Sequence, residues 1–352
     1  MAKKVESANI WMIKEKDAEA TLVAHRAEVD KFLHPDKILP NVVGMAVGAK
    51  VTDGKPTGES ALIVLVTQKL EKSILPAGAI IPEELGGHKT DVMAIGIPMA
   101  GGEPKSEAFS PLVLNNRVRP AKGGYSVGHK DITAGTIATG VYDTLPGGKV
   151  SPPVHGIGMP PKYYILSNNH VLAASNAGQI GDEVLQPGAF DGGKDPEDRI
   201  GTLFRFVPID FSEPRESQNN TVDCALALVE FSNIDREIYW SGEVRGWKQK
   251  NFVKVGDLVK KTGRTTAFTT GRITAVNATV DINYGQDKVA RFKDQIITTS
   301  MSEGGDSGSL ITTLDNVAVG LLFAGSSTVT IANQIENVRA LLKVEVAEQV
   351  IN

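Results

Sequence analysis

The stretch Gly304-Gly305-Asp306-Ser307-Gly308-Ser309 does most to decide the fold. Its glycines let the backbone turn tightly, so that the amides of Gly305 and Ser307 can point at one spot, and Gly308 allows another chain to approach closely. A serine held in this way is a candidate nucleophile, and two converging amides are what an oxyanion requires. A glycine-rich β turn has the same composition, so the hexapeptide alone leaves both readings open. Position 309 is Ser, which breaks the Gly-x-Ser-x-Gly elbow of the α/β-hydrolases. The six histidines (His25, His34, His88, His129, His155, His170) all precede Ser307. The elbow fold needs its histidine after the serine, so that architecture is excluded for this nucleophile.

Working outward, Tyr163-Tyr164-Ile165-Leu166-Ser167-Asn168-Asn169-His170 places a histidine at the end of an apolar strand, where it can be firmly held yet accessible. Thr221-Val222-Asp223-Cys224-Ala225-Leu226 places a carboxylate at the mouth of another apolar strand. Burying that charge is costly unless it accepts hydrogen bonds, and a histidine N–H supplies one. Asp198, Asp210 and Asp235 are alternatives, though none leads straight into so apolar a run. The order is then His170, Asp223, Ser307, with gaps of 53 and 84 residues, each long enough to wind several strands.

The rest of the chain supports a mainly β fold. From about residue 117, short β-rich runs fall at 135–142, 163–166, 200–207, 224–230, 271–279, 290–299, 309–312 and 317–323, separated by Gly, Pro, Asn and Asp. Short strands with turn signals and little helix between them indicate antiparallel sandwiches or barrels, and disfavour an α/β subtilisin fold. Before them, residues 13–33 carry a helical stripe of Ala18, Leu22, Val29, Phe32 and Leu33 ending at Pro35, with His25 as a packed helix residue. A hairpin is expected around Asp53-Gly54-Lys55, a short helix around 82–85 and a strand near 91–97. Residues 99–111, rich in Gly, Pro and Ser, read as a linker. After the barrels, Ile335, Val338, Leu341, Leu342 and Val346 form one apolar helical stripe. The expected organisation is an N-terminal α+β domain at 1–105, a linker at 106–116 and a β domain at 117–352. The latter divides into a first barrel at about 117–232, a second at about 250–332 and a C-terminal helix at about 333–349.

At this point the chain resembles a known family. Asn168-Asn169-His170-Val171, Asp223 before Ala225-Leu226, and Gly305-Asp306-Ser307-Gly308 look like the three signatures of trypsin-like serine peptidases of the chymotrypsin fold. The likeness extends to the intracellular group of plant narrow-leaf trypsin-like proteins and their bacterial relatives. In that group a small N-terminal domain precedes the peptidase, and a segment similar to Lys260-Lys261-Thr262-Gly263-Arg264-Thr265-Thr266 recurs. The resemblance implies a double six-stranded β-barrel with the site in the cleft between barrels. His170 would be the general base and then acid, Asp223 its orienting partner, Ser307 the nucleophile, and the amides of Gly305 and Ser307 the oxyanion hole. It also implies a substrate-binding set of Met301, on the pocket floor six residues before the serine, and Phe323, Ala324 and Gly325, on the strand that pairs with substrate. Met301 predicts an apolar, medium-sized side chain before the cleaved bond, unless it is a core methionine. Extracellular members are often activated when a freed N-terminus pairs with the acid beside the serine. Here more than a hundred residues precede the barrels, so either Asp306 finds another partner or the site rests in an inactive shape.

Composition narrows the class. Hydrophobic residues are 41% and charged residues 22%, which excludes a mainly disordered chain. The net charge of −4 gives no general attraction to nucleic acid or anionic lipid, so neither is expected as a partner. Cys224 is the single cysteine and can form no internal disulfide. With no apolar leader and no apolar run longer than residues 61–66, the expectation is a cytoplasmic protein outside the membrane. Its partners would be a protein or peptide substrate and further copies of itself. No cofactor and no metal are expected. Asp191, Asp195, Glu197 and Asp198 lack a full calcium-loop spacing, and Gly147-Gly148-Lys149 lacks the rest of a phosphate loop. The expectation is a serine endopeptidase. The alternative is a catalytically silent or self-processing scaffold on the same fold.

Overall fold

The computed structural model describes residues 11–34, 39, 41–75, 80–101, 112–132, 134–144, 160 and 162–352. Pro35, residues 106–111 of the expected linker, Gly147-Gly148-Lys149 and His155 lie outside them.

The elements run α1 Glu15–Phe32, β1 Val42–Thr52, β2 Lys55–Val66, β3 Glu84–Leu85, β4 His88–Ala94, β5 Met99–Ala100, β6 Ala121–Gly123, β7 Ser126–His129, β8 Gly135–Thr136, β9 Thr139–Asp143 and β10 Tyr163–Ser167. Then follow α2 Asn169–Leu172, β11 Glu183–Leu185, β12 Arg199–Phe206, β13 Ala225–Val229, β14 Ile234–Ile238, β15 Gly246–Trp247, β16 Leu258–Gly263, β17 Ala267–Asn283 and β18 Val289–Thr299. The chain ends with β19 Leu310–Thr313, β20 Val317–Gly325, β21 Val329–Gln334, α3 Ile335–Leu342 and β22 Val344–Glu345.

Two barrels result. In the first, the sheet runs β9-β10-β13-β12-β11-β7-β8. β8 and β9 are pieces of one stretch of chain, so the ring closes with six strands. In the second, β16-β19-β20-β21-β18-β17 closes on itself through the β16–β17 pairing. Closure removes exposed edges. Alternating side chains fill each interior. Val127, Ile165, Val184, Leu203 and Ala227 pack in the first barrel, and Ile282, Phe292, Ile297, Phe323 and Ile331 lie in a core of the second. A third cluster, including Leu166, Leu226, Leu310, Leu321, Val338 and Leu342, joins the barrels beneath α3.

β17 is long enough to carry more than a barrel. Beyond its barrel partners it pairs antiparallel with β1, and the sheet continues through β2, β4 and β3. The hairpin expected at Asp53-Gly54-Lys55 forms as the β1–β2 turn. α1 covers this extension, burying Ala24, Val29 and Leu33 on Met45, Leu62 and Val64. His25 is buried and its Nε2 lies 3.2 Å from the Met45 carbonyl, with burial pulling its pKa down.

Some local expectations change. The short helix expected around 82–85 is instead β3, hairpinned to β4 through Glu84 opposite Lys89 and Leu85 opposite His88. The reason is Gly86-Gly87, both at positive φ, which makes a two-residue hairpin turn. The C-terminal helix stops at Leu342, because Lys343 takes a left-handed conformation at φ 55° and β22 then pairs with β9. Leu341 therefore faces solvent, while Val346 reaches the inter-barrel core after the helix has ended. The expected linker begins with a strand, β5. No helix among the described residues is long and apolar enough to cross a membrane.

Candidate active site

His170 is the second residue of the one-turn helix α2 that follows β10, and Asp223 sits two residues before β13, so adjacent antiparallel strands of the first barrel bring them together. Imidazole Nδ1 lies 2.6 Å from Asp223 Oδ2, and the His170 backbone N–H donates to Oδ1 at 3.2 Å. The Asp223 carboxylate is fully buried, as the sequence argument requires if its charge is met by donors. Its backbone is pinned too: Asn168 Nδ2 donates to its carbonyl at 2.7 Å, and its N–H donates to Asn333 Oδ1 at 3.0 Å. A third donor is the Tyr284 hydroxyl, 2.8 Å from Oδ2. Burial, reinforced by Asp223, pushes the Tyr284 phenol well above its usual pKa, so it stays protonated and donating.

Ser307 comes from the second barrel, on the turn between β18 and β19, and is docked onto the first. Its carbonyl accepts from the Thr136 N–H at 2.8 Å. Ser307 Oγ and His170 Nε2 are not hydrogen-bonded: Nε2 is buried with no partner among the described residues. The structure thus joins His170 to Asp223 directly and places Ser307 in the adjoining cleft. Asp198, Asp210 and Asp235 are used elsewhere, with Arg117, the Ser212 backbone and Lys122 respectively.

The turn around Ser307 has a definite polarity. Thr265 Oγ1 donates to the Gly304 carbonyl at 2.7 Å, and Thr136 Oγ1 to the Gly305 carbonyl at 2.9 Å. The Asp306 carbonyl accepts from Ser309 Oγ at 2.6 Å. A trans peptide points its N–H opposite its carbonyl. Holding the Gly304 and Asp306 carbonyls inward therefore turns the Gly305 and Ser307 amides outward. Gly305 and Gly308 sit at φ 94° and 96°. A Cβ on Gly308 would fall 2.2 Å from the Thr136 carbonyl, and one on Gly305 2.5 Å from Thr265 Oγ1. Both positions need glycine for conformation and for space.

No protein-family model matches the chain. Glutamyl endopeptidase 2 of Streptomyces griseus is 50% identical over 54 residues, which are 15% of this chain and 26% of that relative, so the match spans about a quarter of the relative's length. Among solved structures, Thermobifida fusca protease A is similar at 16% identity, over 64% of this chain and 96% of its own, with a TM-score of 0.42. A glutamic-acid-specific serine protease is similar at 21% identity, over 64% and 98%, with a TM-score of 0.42. What the chain itself shows is two closed six-stranded antiparallel barrels packed on a shared core.

Within that fold, the partner that Asp306 requires is Lys261. Both side chains are fully buried, with Lys261 Nζ 3.2 Å from Asp306 Oδ2. The Thr266 hydroxyl donates to Oδ2 at 2.6 Å, and the Thr265 and Thr266 amides donate to Oδ1 at 2.9 and 3.1 Å. This explains the segment Lys260-Lys261-Thr262-Gly263-Arg264-Thr265-Thr266: it wraps the acid beside the serine without a freed N-terminus. Burial pulls the Lys261 pKa down, against the opposing pull of Asp306. Next to it, Arg264 is buried and paired with Asp191. Asp195 and Asp198 bond Arg199 and Arg117, so three carboxylates of the acidic loop already have arginine partners.

The cleft beside Ser307 encloses about 350 Å³. Of the expected substrate-binding residues, Ala324 and Gly325 line it; Met301 and Phe323 do not. Met301 is 4% exposed and packs in a core cluster with Val255, Ile273 and Ile311, and Phe323 is wholly buried against Phe292. The expected pocket floor is corrected accordingly: chain alternation turns Met301 inward and presents its neighbours Ser300 and Ser302, with Ser326 and Ser327 opposite. Cys224 is fully buried and burial pushes its thiol pKa up, consistent with a small core residue.

Nothing local in the sequence marks Tyr284, Thr136 or Asn333: they reach the site from just past the end of β17, from β8 and from β21. Hydrogen bonds to charged groups contribute about 1.5–3 kcal/mol. Tyr284→Phe is therefore expected to lower kcat on the order of tenfold with KM little changed. An unchanged kcat would show the hydroxyl to be idle.

Proposed function

We propose that this chain is a serine endopeptidase. The observation that carries the reading is the buried His170–Asp223 pair whose free Nε2 sits beside the Ser307 cleft. In the reaction, His170 Nε2 takes the proton from Ser307 Oγ as the oxygen attacks the substrate carbonyl. The oxyanion that forms is met by the Gly305 and Ser307 amides. Asp223 holds the proton on Nδ1 and offsets the imidazolium charge. His170 then gives its proton to the leaving amine, and water repeats the steps to release the acyl group. Rotation of Ser307 Oγ toward Nε2 on substrate binding is part of this reading, since such contacts often tighten only in the complex.

Fluorophosphonate labelling tests it. Wild type should be labelled at Ser307 and Ser307→Ala should not; absence of labelling in wild type would favour the silent scaffold. The serine-rich lining supports a polar, hydrogen-bonding side chain before the cleaved bond, in place of the apolar one expected from Met301. Glutamine and glutamate are the first candidates, glutamate on the named activity of the Streptomyces griseus relative alone, since the lining also includes Glu303 and, among the described residues, no basic side chain. A fluorogenic panel in which leucine or phenylalanine substrates exceed glutamate and glutamine tenfold would refute it. Substrates inside the cytoplasm and a homo-oligomeric state complete the proposal. Light scattering of the full chain at the mass of one copy would remove the latter.

A further inference from the structure

The groove is partly filled from within the chain. β5 runs antiparallel to the end of β20, with Ala100 opposite Ala324 and Met99 opposite Gly325. On its other side Met99 lies opposite Asn283 of β17, whose N–H donates to the Pro98 carbonyl at 3.1 Å. The chain then turns at Gly101, φ 63°, against the candidate base: a Cβ there would sit 3.4 Å from His170 Cδ2 and 3.9 Å from Nε2. Met99 and Gly101 line the same cleft as Ser307. Ala100 is buried, while Met99 is 43% exposed.

We propose that Pro98–Gly101 occupies the groove as the acyl-side strand of a substrate would, and restrains the enzyme by competing with substrate. The proposal rests on the peptidase reading, because it takes Ala324-Gly325 as the edge that a substrate pairs with. An extended peptide binds such a site by adding a strand to a sheet edge, and one edge accepts one strand. The occupant is tethered, so it competes at an effective concentration on the order of millimolar without help from a partner. It is also replaceable. β5 is two residues long and offers few ladder bonds, whereas a longer substrate can pair along more of the edge and fill the serine-lined pocket as well. Gly101 suits the position because any side chain there would crowd the imidazole. The enzyme then works only as far as the segment vacates the groove, and apparent substrate affinity is lowered by the vacant fraction.

Amide hydrogen exchange on the full chain tests this in three states: free, reacted with phenylmethanesulfonyl fluoride, and reacted with a tripeptidyl phosphonate carrying the best residue from the fluorogenic panel. The sulfonyl group reaches only the serine and its pocket; the peptidyl reagent extends along the groove. Peptides covering 97–101 should remain protected in the first two states and lose protection in the third. Protection that persists with the phosphonate attached overturns the proposal. If neither reagent attaches to Ser307, the peptidase reading itself fails, and this inference with it. A kinetic arm uses Met99→Pro and Ala100→Pro, each of which removes a backbone donor from β5. At least one should lower KM by about threefold or more with kcat unchanged, and a fold check by circular dichroism accompanies both. Unchanged KM in two folded variants also overturns the proposal.

Discussion

Asp223→Asn is expected to lower kcat about 10⁴-fold, the cost of the same exchange in a serine-peptidase triad. Three donors converge on this carboxylate: His170 Nδ1 at 2.6 Å, the His170 backbone N–H at 3.2 Å and the Tyr284 hydroxyl at 2.8 Å. An asparagine keeps the shape but places an N–H where a lone pair stood. Facing Nδ1, that N–H favours the imidazole tautomer with its proton on Nε2, which cannot take one from serine. In that same position it also opposes the Tyr284 phenol proton, and turned the other way it opposes the His170 backbone N–H. Steady-state kinetics on protein with wild-type circular dichroism provide the measurement. Asp198→Asn, Asp210→Asn and Asp235→Asn are the controls, because their carboxylates serve surface contacts. A loss under tenfold at Asp223 would remove it from the machinery.

Lys261→Met is the second large effect. The Lys261–Asp306 pair is fully buried, so solvent does not screen it. Removing one partner of a buried pair leaves an uncompensated charge and costs about 3–5 kcal/mol. That charge lies one residue from Ser307, so the turn should relax and activity should fall with stability. In Lys261→Met/Asp306→Asn the isolated charge is gone; chemical denaturation should show much of the stability restored. A single variant as stable as wild type would show that the pair does not hold the turn. A pH dependence follows. Burial lowers the Lys261 pKa in the folded chain, so the cation that holds Asp306 is lost at a pH below the ordinary lysine range. Activity should therefore fall on the alkaline side as the turn beside Ser307 relaxes. Steady-state kinetics against pH that stay flat up to the ordinary lysine range would show that Lys261 is not the group responsible.

Much of this was legible in the sequence because the informative residues are local. Tyr163-Tyr164-Ile165-Leu166 and Cys224-Ala225-Leu226 read as strands from their apolar character, and each leads into or out of a site residue. Gly305 and Gly308 mark positions that admit no Cβ, a property of single residues. Met301 shows the limit. Its distance from Ser307 is correct for a pocket floor, but which face of the chain a residue presents depends on register, and one step of alternation exchanges methionine for serine. Tyr284 shows another: no nearby pattern distinguishes it, and its role exists only because β17 carries it across to the first barrel's aspartate.

Residue types, their order and the glycine constraints along the chain determined a mainly antiparallel β fold, with sandwich and barrel both open, and the candidates His170, Asp223 and Ser307. These follow from local backbone preference and from chemistry that only certain side chains possess. Tertiary structure alone decided which partner neutralises Asp306, which residues line the cleft and that β5 lies along it. Those are contacts between segments far apart in the chain, set by strand pairing and barrel closure, and no short-range pattern encodes them.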